Sequence, residues 1–316
     1  MSQLSYRPPV IALRASGLRK TFGTLTAVDG IDLEISAGEC FGLLGPNGAG
    51  KTTTMEILEG LQQPTAGEVE LLGKSWKGHA RELRAKIGIA LQETRLPDKL
   101  TVLEVVRLFR SFYPAGREVD AVIADVQLGE KRDVWVSNLS GGQRQRLAVA
   151  CALVGDPEIV FLDEPTTGLD PQSRRQLWDL VDAFKKRGRT VLLTTHYMDE
   201  AEQLCDRLAI IDHGKVITEG TPPQLIAKLG GAHMIDFDLQ DGGVIDDAAL
   251  SALPGVTAVR TIAGSKQLTV KEAHVAVPAL VGLLQQRNLP FSRLTTHHST
   301  LEDVFVSLTG RGLRDA

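Results

Sequence analysis

Short apolar runs and alternating stretches, punctuated by glycine and proline, recur along most of this 316-residue chain. Residues 10–22 and 30–35 alternate or carry short apolar runs and predict strands. Residues 40–44, Cys40-Phe41-Gly42-Leu43-Leu44, predict a short buried strand that delivers the chain into a glycine-rich loop. A helix is expected over 52–61, with Met55, Leu58 and Leu61 on one face. A turn at 64–67 precedes strands at 68–72 and 87–91, the second ending at Gln92. Residues 93–157 predict a mainly helical region. One helix there carries Leu103, Val106 and Phe109 and is stopped by Pro114 and Gly116. A second starts near Ser140 and runs to the break at Gly155-Asp156-Pro157.

The continuous apolar run 159–162 has the pattern of a strand covered on both faces. Helices are expected at 174–186 and 198–205, a strand at 190–194, and a hairpin of 208–211 with 215–219 around Asp212-His213-Gly214. Strand-helix alternation of this kind predicts an α/β domain. The composition shifts at Leu229-Gly230-Gly231, so two domains are expected, 1–228 and 229–316. The second reads strand 234–239, helix 247–253, strands 256–261 and 267–271, helix 275–286, strand 291–297 and helix 301–308. Its first six elements follow the order of a ferredoxin-like unit.

Composition narrows the classes. Apolar residues at 43% and charged residues at 23% suit a globular chain able to bury a core. With 35 basic against 39 acidic residues and a net charge of -4, no nucleic-acid-coating surface is indicated. Cys40, Cys151 and Cys205 are few, odd in number and without metal-ligand spacing, which predicts small core residues in a reducing compartment. The longest apolar run, 275–284, spans ten residues and contains Pro278 and Gly282, too short to cross a membrane. Residues 1–9 are polar and lack the apolar core of a secretory signal. Any membrane role is therefore expected to run through a partner.

The chemistry concentrates in Gly45-Pro46-Asn47-Gly48-Ala49-Gly50-Lys51-Thr52, which fits G-x-x-x-x-G-K-[ST] between a strand and a helix. Glycines let successive backbone N–H groups turn inward as an anion nest at a helix N-terminus. Lys51 is expected to reach the β- and γ-phosphates of ATP, and Thr52 to offer its hydroxyl to Mg²⁺. Asp163 and Glu164 end the apolar strand, which places two carboxylates at the C-terminal edge of the sheet. Asp163 is expected to hold Mg²⁺, and Glu164 to polarise the attacking water. A strand stopped by acidic turn residues would read the same in isolation; the phosphate loop decides between them.

Gln92 ends a strand, where its amide can meet the metal or the water. His196 follows a buried strand, where it can donate to the γ-phosphate. Alone, a surface glutamine and a structural histidine would be the plainer readings. Leu139-Ser140-Gly141-Gly142-Gln143 opens a second helix with a good N-cap and two glycines, a second anion-binding end. One ATP seldom needs two such ends from one monomer, which suggests a dimer.

As a set, these residues closely resemble the nucleotide-binding subunit of ABC transporters. Gly45 to Thr52 looks like the Walker A loop, Gln92 the Q-loop, and Leu139 to Gln143 an unbroken signature. Asp163 and Glu164 look like the Walker B end, Thr167-Gly168-Leu169-Asp170 the D-loop, and His196 the switch histidine. Phe22 resembles the aromatic that stacks on adenine, where Tyr is common. Cys151 departs from an Arg frequent after the signature, away from the phosphate chemistry. The likeness spans roughly residues 12–226.

The resemblance implies an ABC-type P-loop NTPase fold: helical subdomain about 93–157, antiparallel β subdomain and small α+β C-terminal domain. It implies ATP hydrolysis with Lys51, Gln92, Glu164 and His196 catalytic, and Thr52, Gln92 and Asp163 on Mg²⁺. ATP would touch Phe22, the loop Gly45 to Thr52, Thr53, Ser140, Gly141, Gly142, Gln143 and Asp170. Two copies would sandwich two ATP head to tail and drive separate permease subunits at the cytoplasmic side of the membrane. Helical residues 96–113 would receive the coupling helix of that permease.

The tail Ser299-Thr300-Leu301-Glu302-Asp303-Val304-Phe305, then Leu308-Thr309-Gly310-Arg311, resembles drug-exporter ATPases of the daunorubicin-resistance type, which pair with ABC-2 permeases. Export of a drug-like or lipidic substrate is expected; an importer subunit shares the whole site and is the first alternative. A ribosome- or DNA-acting ABC protein is disfavoured by a single phosphate loop and a short segment between Gln92 and Ser140. Glu164 argues against a binder that does not hydrolyse. His297 and His298, adjacent on a strand, point to opposite faces and suit surface or packing roles rather than a shared metal.

Overall fold

The computed structural model describes residues 10–92, 94–240, 243–262 and 264–309. The polar stretch 1–9 and Gly310-Arg311 at the end of the tail motif lie outside these residues. Contacts divide the chain into Met1–Glu219 and Gly220–Ala316. That division falls before a short helix, whereas the composition shift at Leu229-Gly230-Gly231 falls after it.

The first unit opens with β1 (Ile11–Phe22), β2 (Leu25–Ser36) and β3 (Cys40–Leu44), then α1 (Lys51–Leu58). Next come β4 (Ala66–Leu71), β5 (Lys74–Ser75), α2 (Trp76–Arg84) and β6 (Ile87–Ala90). A helical stretch follows, with α3 (Val102–Ser111), α4 (Val119–Asp125) and α5 (Gly141–Leu153). Then come β7 (Ile159–Asp163), α6 (Pro171–Lys186), β8 (Thr190–Thr195), α7 (Met198–Leu204), β9 (Arg207–Asp212) and β10 (Lys215–Gly220).

These strands form two sheets. β2, β1, β4 and β5 make an antiparallel sheet in that order. The other has the order β10-β9-β3-β8-β7-β6, and β3, β6, β7, β8 and β9 run parallel. Every residue of β3, β7 and β8 is buried, as their unbroken apolar runs require of strands covered on both faces. Leu13, Leu18 and Ile35 of the antiparallel sheet share one core with Phe41, Met55, Phe161 and Leu192. Because the strands are parallel, β3, β6, β7 and β8 bring their C-terminal ends to one edge, where α/β folds place their sites.

Three helix starts in this unit are set by side-chain caps. Thr101 and Glu104 form a capping box on α3, Ser140 and Gln143 another on α5, and Asp170 caps α6 ahead of Pro171. In this unit β5 and α2 carry no expectation above, and α4 falls inside the expected helical region 93–157 without bounds of its own. α2 contains non-helical Lys77 and Gly78, and α4 spans only seven residues, so neither shows a clean helical period. All three cysteines are buried with free thiols.

The second unit comprises α8 (Pro222–Ala227), β11 (His233–Leu239), α9 (Asp247–Ser251), β12 (Val256–Ile262), β13 (Ser265–Val270), α10 (Ala273–Gln286), β14 (Phe291–His298) and α11 (Leu301–Thr309). Its sheet has the antiparallel order β12-β13-β11-β14, the arrangement of a ferredoxin-like β-α-β-β-α-β unit. Ile235, Phe237, Leu268 and Val270 pack against Leu250, Leu280 and Leu284 of the two helices. His297 lies between Asp236 at 3.4 Å and Asp303 at 3.2 Å, and the His298 ring stacks on His233. Among the described residues no helix is long and apolar enough to cross a membrane, and no group of three or more His, Cys, Asp or Glu side chains could hold a metal ion.

Candidate active site

The loop after β3 is shaped by close backbone approach. A Cβ at Gly45 would lie 2.3 Å from the Ile211 carbonyl oxygen, and one at Gly50 would lie 2.3 Å from that of Ala27. Gly50 also has φ 100°, a conformation that side chains disfavour, so the loop tolerates no larger residue there. Pro46 and Ala49 are buried while Asn47 and Gly48 are exposed at the rim. Lys51, the first residue of α1, folds back into the loop: its Nζ donates to the carbonyls of Gly45 (2.8 Å) and Pro46 (3.1 Å). Burial lowers its pKa, and Glu164 and Asp163 oppose that shift. Thr52 is exposed beside it, and Thr53 is half-buried.

Glu164 is the centre of the arrangement. Its Oε1 lies 3.6 Å from Lys51 Nζ, and its Oε2 accepts from Gln92 Nε2 (3.3 Å) and Thr167 Oγ1 (3.2 Å). His196 Nδ1 stands 3.2 Å from the same oxygen but without hydrogen-bond alignment. The Glu164 backbone has φ 45°, unusual for a residue with a side chain and worth about 1–3 kcal/mol of strain. Thr194 Oγ1 holds it there by accepting the Glu164 N–H at 2.9 Å while donating to Asp163 Oδ1 at 2.5 Å. Asp163 is buried, and burial raises its pKa against the Thr194 bond and the nearby Lys51. The Thr52 hydroxyl lies against the same carboxylate. A buried carboxylate with a hydroxyl beside it is a hard-oxygen donor set of the kind Mg²⁺ takes.

The five residues Lys51, Gln92, Asp163, Glu164 and His196, drawn from the ends of four strands, are thus brought together. No hydrogen bond or ion pair among the described residues joins Phe22 or Ser140 to this cluster. Phe22 is exposed on β1 with Lys20 Nζ 5.0 Å from its ring centre. Ser140 and Gly141 are exposed, while a Cβ on buried Gly142 would lie 2.5 Å from Ser173 Oγ of α6. Ser140 Oγ accepts from Gln143 N, and Gln143 Oε1 accepts from Ser140 N. That leaves the Ser140 O–H free to donate outward. Asp170 accepts from the backbone of Gln172 and Ser173 and from Ser173 Oγ, bonds that hold its pKa down. Thr194 carries no expectation from the sequence, and Thr167, expected only as part of the stretch Thr167 to Asp170, was not foreseen as a partner of Glu164. The signal for Thr194 was a hydroxyl inside the buried run Val191-Leu192-Leu193-Thr194-Thr195.

Such an arrangement is chemically suited to an anion at the loop and a water at the Glu164 carboxylate. A profile of the family described as "ABC transporter" matches residues 28–167. The Nod factor export ATP-binding protein I of Ralstonia nicotianae is 40% identical, over 96% of this chain and 95% of its own length. The chain belongs to the ABC transporter ATP-binding family. The Nod factor export ATP-binding protein I of Paraburkholderia xenovorans is also 40% identical, over 97% of this chain and 100% of its own.

Among solved structures, a dimeric ATP-binding cassette in a post-hydrolysis state with ADP and Pi has a TM-score of 0.62 at 28% identity. The match covers 66% of this chain and 98% of that one. A Clostridium perfringens protein that is part of an ABC transporter complex has a TM-score of 0.63 at 28% identity, covering 70% and 92%. The fold is that of an ABC ATPase, and the chain is an ATP-hydrolysing, ATP-binding subunit of an ABC transporter.

Proposed function

We propose that this chain hydrolyses ATP at Glu164, as one of two copies that close head to tail and drive an exporting permease. The observation that carries this reading is the convergence of Lys51, Gln92, Thr167 and His196 on the Glu164 carboxylate within 3.2–3.6 Å. Lys51 leaves the Gly45 and Pro46 carbonyls and binds the β- and γ-phosphates. Glu164 accepts a proton from the attacking water, and Gln92 and His196 orient that water and the γ-phosphate. Thr52, Asp163 and Gln92 would hold Mg²⁺, which supplies charge neutralisation on the phosphates when bound. Phe22 stacks on the base, and Thr53 lines the phosphate side of the loop.

Ser140, Gly141, Gly142 and Gln143 serve the ATP of the other copy. Their helix end presents free N–H groups and the Ser140 hydroxyl, and Asp170 at the start of α6 orders the facing subunit. This division of labour is supported by the separation of the signature from the Glu164 cluster within one chain.

Export is supported by the relatives named as Nod factor exporters, which match end to end, and by the tail at Leu301 to Phe305. We assign the chain to the daunorubicin-resistance type with an ABC-2 permease, and its substrate to drug-like or lipidic molecules. Leu108 of α3 and Phe112 at its C-terminal cap are large apolar side chains exposed to the surface, which suits docking of a permease helix there. The working location is the cytoplasmic face of the membrane.

Replacing Glu164 with Gln tests the reaction. Turnover should fall by at least about 100-fold while ATP affinity stays within about two-fold. Wild-type turnover in that variant would remove Glu164 from the mechanism. Purification from membranes tests the partner: a six-helix permease is expected, and a ribosome or DNA complex would overturn the assignment.

A further inference from the structure

The His196–Glu164 approach poses a problem of its own. At 3.2 Å the two groups are in close contact, yet no aligned hydrogen bond holds them. Their spacing is therefore set by the segments that carry them. On the His196 side that segment leads into α7, whose first turn holds the wholly buried Glu200.

One aligned donor reaches its carboxylate, and two hydroxyls stand near it. Trp178 Nε1, from α6, is 3.4 Å from Oε1, and the hydroxyls of Thr195 and Thr166 lie against the group. Burial raises the carboxyl pKa, and these three side chains and Arg174 pull it back. Each partner has a strategic position. Thr195 precedes His196 and also accepts the Tyr197 N–H at 2.9 Å. Thr166 follows Glu164 by two residues, on the loop that leads to Asp170. Trp178 belongs to α6, the helix that Asp170 caps.

A second contact runs parallel to this one. Arg174 of α6 ion-pairs with Asp199 at 3.3 Å and lies 4.5 Å over the Tyr197 ring, which itself rests 4.2 Å from the His196 ring. Helix α6 thus grips the His196 segment from two sides. The grip is incomplete, because Glu200 Oε2 and Thr166 Oγ1 are both buried without an aligned partner. Unpaired buried groups favour any small shift that joins them.

We infer that Glu200 is a positioning residue: it ties the loop after β7 to the loop after β8 and to α6, so that the placement of Asp170 is transmitted to the His196–Glu164 pair. The inference rests on the reading that Glu164 and His196 act in hydrolysis. Glu200 touches neither nucleotide nor water and works through His196. A merely structural carboxylate, favourable in the first turn of α7, would affect stability and every activity together.

The test uses the full chain, with steady-state and single-turnover ATP hydrolysis, a fluorescent ATP analogue for binding, and a melting curve. Glu200→Ala should lower kcat about 10–100-fold with KM and nucleotide affinity within about two-fold. Glu200→Gln, which keeps the shape and an acceptor for Trp178, should recover most of kcat. In a His196→Ala background, single-turnover rates should show Glu200→Ala costing no more than about two-fold further. Should Glu200→Ala fail to fold, Thr166→Val carries the same cycle.

Additive losses, a KM that moves with kcat, or an unchanged kcat would each overturn the inference. Glu164→Gln separates the two levels. If it stops turnover while the Glu200 cycle is additive, only this inference fails; if it does not, the underlying reading fails.

Discussion

Lys51 Nζ sits 3.6 Å from Glu164 Oε1 while donating to two carbonyls of its own loop. The lysine proposed to meet phosphate is thus held by its own loop. ATP must exchange these bonds for charge-assisted ones, and the exchange also frees Glu164 from its ion pair. Lys51→Ala should therefore weaken ATP binding about 10–100-fold, the worth of a buried charge-assisted contact. Titration with a fluorescent ATP analogue checks it, and an unchanged affinity would contradict it.

Phe22 should act by stacking alone. It is 45% exposed, with Lys20 Nζ 5.0 Å from its ring centre. Phe22→Tyr should leave ATP affinity within about two-fold, whereas Phe22→Ala should lose about 1–3 kcal/mol of base stacking. Inorganic triphosphate, which has no base, should bind both variants like the parent. Equal losses for ATP and triphosphate would place the effect in the loop instead.

Glu59, the C-cap of α1, is 2% exposed with neither carboxylate oxygen paired. Burial, then the charges of Asp163 and Glu56, push its pKa up from 4.5 to about 8. The folded chain therefore keeps a proton that the unfolded chain loses. Stability from this residue is full below pH 4.5 and declines as pH rises to about 8. At about 1.4 kcal/mol per pH unit, the decline is on the order of a few kcal/mol. Glu59→Gln should accordingly be more stable than the parent at pH 8, with the gap shrinking towards pH 5. Urea midpoints at the two pH values measure it; equal midpoints at pH 8 would refute the assignment.

Much of this was legible in sequence because the parallel strands are short, apolar and end in chemistry. Cys40 to Leu44 and Ile159 to Leu162 announce themselves, and Lys51, Asp163 and Glu164 follow directly. The order of the ferredoxin-like unit was legible too, since glycines, prolines and polar turns separate its short apolar runs. α2 and α4 were not, because a kink and brevity remove the helical repeat. The roles of Thr194 and Glu200 were also hidden. Their partners are 31 residues away at Asp163 and 22 away at Trp178, separations that only the folded sheet closes.

The composite site is the centre of the account, and mixing two defective chains tests it most directly. Lys51→Ala removes the phosphate lysine, and Ser140→Arg blocks the signature end. In a head-to-tail dimer of one chain of each kind, one site carries both defects and the other carries neither. Each variant alone should be nearly inactive, and the mixture should regain up to about a quarter of wild-type turnover, the share set by random pairing. A mixture no more active than its components would contradict the shared site.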